Sequence, residues 1–134
     1  MSANSTSEDS KLTARDRTRI LKILEKHGAE DPDFCARSLT HAGVNFRSLK
    51  RLREAEPLLK RGAQISLSLG RDHLDVTHWA LEELALNSQA LGDNDDFIWS
   101  VNQQKAIFDQ QFGSNSPQSR SCIQRLKNHE VNSL

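Results

Sequence analysis

Glu54-Ala-Glu-Pro-Leu-Leu-Lys-Arg61 and, eight residues on, Leu69-Gly-Arg-Asp-His-Leu-Asp-Val76 are the stretches on which the reading of this chain turns. In and after the first, Ala55, Leu58, Leu59 and Ile65 recur at helical spacing, predicting a helix over about 53–68. Pro57 falls inside its first turn or so, where a missing N–H does little harm. Gly70 closes it. The stripe Val76, Ala80, Leu81, Leu84, Ala85 and Leu91 then predicts a helix over about 74–91, ended by Gly92. The spacing from Gly70 to Asp75 occurs once before, as Gly28 to Asp33. The offset from Gly28 to Gly70 also relates Ile23, Ile65 and Ile107; Leu39, Leu81 and Ile123; Asn45 and Asn87; and Leu49 and Leu91. Residues 28–69 and 70–111 agree at only six positions, but these are glycine stops, helix starts and inward apolar sites. The chain reads as a repeat.

Working outward, Ile20, Leu21, Ile23 and Leu24 predict a helix over about 12–27, closed by Gly28. Asp31-Pro32 starts the next, with Asp31 as N-cap and Pro32 in first position; it carries Phe34, Leu39, Ala42, Gly43 and Phe46. Asp93-Asn94-Asp95-Asp96 supplies an acidic start for a fifth helix with Phe97, Val101, Phe108 and Phe112. After Gly113-Ser-Asn-Ser-Pro117 a short polar sixth runs to about 130. No useful length alternates with period two, so the fold class is all-α. Residues 1–11 read as a disordered tail and 12–134 as one helical repeat domain, two full repeats flanked by half repeats. One helix pair cannot cover its own apolar face, so successive pairs are expected to stack. Lys127 and Glu130, at inward places of the last repeat, would make the final helix a polar cap.

The quoted residues resemble the tetratricopeptide repeat of the kinesin-light-chain type, whose repeat length is that same offset. That subfamily repeats an alanine-glutamate-proline-leucine-leucine segment, followed by leucine-glycine and an aspartate-histidine-proline-aspartate turn. Leu39, Ala42, Gly43, Phe46, Leu52, Ala55 and Leu59 occupy the pattern of small and large residues in the first copy. Leu81, Leu84, Ala85, Gly92 and Val101 do so in the second. Phe97 stands where the family has a small residue, and Gln104 and Ser88 replace a small and an aromatic one. The resemblance implies a short right-handed α-solenoid of antiparallel helix pairs, in which the first helix of each pair lines a concave groove.

Charge is balanced, 18 Lys plus Arg against 18 Asp plus Glu, which argues against binding nucleic acid by bulk charge. The balance is uneven along the chain: residues 11–71 carry +7, residues 72–134 carry −5 and the first ten −2. Lys50-Arg51-x-Arg53 and Lys60-Arg61 form a basic patch without the interleaved aromatics that stacking on bases needs, so a solvated face is expected, with a site for an acidic partner as the alternative ahead of RNA. No apolar run is long enough to span a membrane. The N-terminus lacks the basic and apolar regions of a signal peptide, and a cytoplasmic protein is expected. Cys35 and Cys122 read as buried, unpaired thiols.

His73 and His78 are five apart and do not share a helical face as zinc ligands would. Asp93, Asp95 and Asp96 lack the glycine and glutamate of a calcium loop and read as helix capping. No phosphate-binding loop and no nucleophile with an evident base is present. The expectation is a protein that is not an enzyme, with no catalytic residue, no metal and no cofactor.

What remains is the groove that the resemblance implies. With Leu39 and Leu81 facing the core, the residues two before and one, five and eight after each would face it. These are Arg37, Thr40, Val44 and Arg47 in the first copy and Trp79, Glu82, Leu86 and Gln89 in the second. A tryptophan beside an aliphatic residue and two arginines is an anchor composition for peptide recognition; the alternative is that Trp79 packs on a neighbouring helix or a second copy. Trp99 and Ile98 would be a second interface or contacts to the terminal cap. The resemblance implies an interaction module that binds a protein or peptide bearing acidic and apolar residues, and neither nucleic acid nor membrane. A second reading is a self-associating scaffold whose basic front half meets the acidic back half of another copy. A third is a regulatory domain that responds to a signalling peptide.

Overall fold

A computed structural model describes residues 15–26 and 30–132. The expected tail and the closing Gly28 lie outside the described residues. The chain forms α1 (15–26), α2 (Pro32–Ser48), α3 (Leu52–Leu67), a 3₁₀ turn (Arg71–His73), α4 (Leu74–Leu91), α5 (Asn94–Phe112) and α6 (Pro117–Asn132). Among the described residues there is no strand, so the all-α reading holds. No helix among them is long and apolar enough to cross a membrane.

The helix starts follow from their caps. Asp31 accepts the backbone N–H of Phe34 with Pro32 behind it, and Asp93 accepts that of Asp96. Such caps contribute about 0.5–2 kcal/mol each. The ends of α2 and α4 are built alike. Arg51 N–H donates to Phe46 C=O and Lys50 N–H to Arg47 C=O. At a single fixed offset from these residues, Asp93 N–H donates to Ser88 C=O and Gly92 N–H to Gln89 C=O. The left-handed position that closes this motif is Gly92 in one turn (φ 86°) and Lys50 in the other (φ 62°). Helix starts recur at the same offset: Pro32 and Leu74, Leu52 and Asn94. Pro57 lies in the second turn of α3 rather than the first. The helix runs through it without the hydrogen bond an N–H there would give to Arg53.

From α2 onward each helix packs chiefly on the next, and α2 also meets α4. Leu39, Leu58, Leu59, Leu81 and Leu84, all fully buried, centre one core, onto which Ile20, Leu21 and Leu24 of α1 pack. Gly43 and Gly62 set the approach of α2 to α3. A Cβ at Gly43 would stand 2.5 Å from Leu59 Cγ, and one at Gly62 2.7 Å from Thr40 Oγ1. A second core joins Ala85, Phe97 and Val101 to Cys122 of α6. His129 of α6 stacks on Phe97 at 4.2 Å, so the large residue at 97 is covered by the last helix. Lys127 and Glu130 are exposed, leaving α6 with a polar outer face. Cys35 and Cys122 are free, buried and in separate cores, and burial pushes both thiols up.

Candidate binding face and buried polar joint

Three of the eight residues expected to face a partner cluster where α2 meets α4. Arg37 pairs with Asp33 one turn earlier (2.7 Å) and reaches Asp75 at the start of α4 (3.7 Å). Asp33 also meets His73 Nδ1 at 3.4 Å. Further along, Arg47 forms an ion pair with Glu83 and donates to the Glu83 carbonyl at 3.0 Å. Between these positions in sequence, half-buried Trp79 lies against exposed His41, ring centroids 4.7 Å apart and tilted by 59°. The neighbour of Trp79 is therefore histidine, and both arginines are held by carboxylates. Val44 is half-buried on the first core, while Leu86 and Gln89 are exposed.

Thr40 departs from the expectation. It is fully buried, its hydroxyl donates to Ala36 C=O at 2.8 Å, and it faces Gly62 of α3. Glu82, the residue after Leu81, likewise turns to the following helix. It accepts from Gln104 Nε2 at 3.0 Å and from Arg125 Nη1 at 2.8 Å. The residue after each core leucine lies only about 100° round the helix from it, at the flank that meets the partner helix. The residue two after lies about 200° round. His41 is such a residue, and its place is as legible from the wheel as that of Trp79, two before Leu81. Trp99 packs on the first core and Ile98 is exposed.

Sequence reasoning misses a second constellation. Glu56 of α3 and Asp96 of α5 are both buried, 8% exposed, and bring carboxylate oxygens within 4.8 Å of each other. Glu56 accepts from Asn87 Nδ2 and Ser88 Oγ of α4, each at 2.7 Å, and Lys60 Nζ sits 3.1 Å from Asp96 Oδ1. Burial, and then the neighbouring Asp96, push Glu56 up to about 7. Burial works the same way on Asp96, but hydrogen bonds from Glu56 and Lys60 outweigh it and hold that carboxyl low. Of the two carboxyls, Glu56 is therefore the one that takes a proton more readily. Asp93, Asp96 and Glu56 bring carboxylate oxygens within 4.8 Å of one another; Lys60 and a proton on Glu56 offset their charge. The available signal is Glu56 standing inside the stripe Ala55, Leu58, Leu59, with Lys60 four residues on.

The basic patch is partly spent: Lys60 on Asp96 and Arg61 on Glu25 at 3.1 Å. A crevice of about 470 Å³ lies among Glu82, Gln104, Phe108 and Arg125. No protein-family model matches the chain, and no curated protein matches it.

Proposed function

We propose that this chain is a short right-handed α-solenoid of antiparallel helix pairs, of the tetratricopeptide-repeat kind, acting as a non-catalytic protein–protein interaction module. Support for the architecture comes from helix starts and chain turns that recur at one fixed offset, and from helices that pack on their sequence neighbours. The partner is a peptide or helix lying on the α2–α4 face. The observation that carries this reading is the Trp79–His41 pair, which leaves aromatic surface open, with exposed Leu86 two turns further along α4. Aromatic anchors with a polar surround are where binding energy concentrates. Arg37 keeps about half of its side chain exposed (47%), so its remaining N–H donors suit a carboxylate on the partner.

The scaffold reading rests on charge polarity. Arg47–Glu83 and Lys60–Asp96 already join the basic and acidic halves within one molecule, which favours the binding module. Selection from a displayed peptide library on the intact chain tests this. Enriched peptides should pair an acidic with an apolar residue and be lost on Trp79→Ala with at most a small fall in Tm. If Trp79→Ala binds normally and melts several degrees lower, Trp79 is a packing residue and the module has lost its anchor. Light scattering that shows assembly at low salt and none at high salt would instead support the scaffold.

A further inference from the structure

A cavity of about 350 Å³ opens between the α3–α4 connection and the C-terminal part of α5, sharing no residue with the α2–α4 face. Leu67, Leu74 and Ile107, each half-buried, form its apolar lining, and exposed Arg71, Gln110 and Gln111 complete it. Its size falls at the lower end of small-ligand sites. Two features set it apart from an ordinary surface crease. Arg71 makes no side-chain hydrogen bond or ion pair among the described residues, although Arg37 and His73 nearby are both held by carboxylates. Gly70, with φ of 87°, has nothing within 4 Å of where a Cβ would stand, so the lining is open at that point.

We propose that this cavity binds an aliphatic carboxylate. The hydrocarbon lies on the leucine and isoleucine side chains, where each methylene taken from water should tighten binding by about fourfold. The carboxylate meets the Arg71 guanidinium, whose planar fork matches it, with the glutamine amides as further donors. A neutral ligand would leave the guanidinium unanswered, and a cation would be repelled by it. The same chemistry is offered by a free fatty acid and by the carboxyl end of a peptide whose last residue is aliphatic.

The test is an amide NMR titration of the intact, isotope-labelled chain with butanoate, hexanoate, octanoate, octanol, and a short peptide ending in leucine with a free carboxylate. The expected result is saturable shifts at Arg71, Leu74 and Ile107, with affinity rising by about fifteenfold per two methylenes along the acid series. Arg71→Gln should weaken octanoate at least tenfold and leave Tm unchanged, since the side chain is exposed and has no side-chain partner among the described residues. Tighter binding of octanoate than of the peptide assigns the site to free acids, and the reverse assigns it to a chain end. Octanol binding as well as octanoate, an unaffected Arg71→Gln, or shifts confined to other residues would overturn the proposal. So would the absence of binding by every probe.

Discussion

Lys50 closes α2 at φ 62°, a conformation that crowds a Cβ, while Gly92 holds the equivalent place after α4 at no such cost. Lys50→Gly should therefore raise stability by about 0.5–1 kcal/mol, read as a higher urea midpoint, because relief of strain outweighs the added freedom of the unfolded chain. Gly92→Ala should do the opposite. No atom stands near its missing Cβ, so the loss would report backbone strain alone. Glu56 offers a pH experiment at the same scale. Its carboxyl titrates near 7 in the fold against the usual 4.5, so its favourable contribution is complete below about 4.5 and disappears as pH rises through about 7. Asp96 works in the other direction: its contribution is present above the ordinary aspartate range and fails only as pH falls through its own lowered value. Glu56→Gln keeps a donor toward Asp96 at every pH. Variant and parent should melt alike near pH 5, and near pH 8 the variant should lie higher by an amount on the order of 1–3 kcal/mol. Parallel pH profiles would show that Glu56 does not titrate at a raised value.

At the scale of elements, close approach of α2 to α3 depends on Gly43. Even alanine there would press on Leu59, which is fully buried and hemmed in, so Gly43→Ala should cost about 1–3 kcal/mol in thermal unfolding. An unchanged Tm would mean the two helices can part without loss. Trp99 and Trp79 should separate in the same assay. Trp99 packs on the first core, and its replacement by alanine should destabilise by about 2–4 kcal/mol, whereas Trp79→Ala should cost less. The helices are legible in sequence because their signals are local: Asp31-Pro32 and Asp93 are caps that work within four residues, and Gly92 is a stop. Which residue of a helix meets which neighbour is not local. Counting from a core leucine puts Thr40 and Glu82 on the groove, but it leaves out the following helix, whose Gly62 and Gln104 claim them. Glu56–Asp96 lies beyond reach for the same reason, its members standing on α3 and α5 with all of α4 between them in sequence and joined only by packing.

For the whole molecule, uneven charge is the feature that composition conceals and folding redistributes. The front half is basic and the back half acidic, yet Arg37–Asp75, Arg47–Glu83 and Lys60–Asp96 draw opposite charges together across helices. Polar α6 covers Phe97 at one end. On the α2–α4 face the half-buried Trp79 and the exposed His41 and Leu86 offer aromatic and aliphatic surface, and the central claim is that a peptide lies there. A chemical-shift map of the isotope-labelled chain, titrated with a peptide selected against it, tests that claim most directly. The account predicts saturable shifts along α2 and α4, concentrated at Arg37, His41, Trp79 and Leu86, together with a shifted Trp79 indole N–H. Shifts gathered instead on α5 and α6, with the Trp79 indole unmoved, would contradict it.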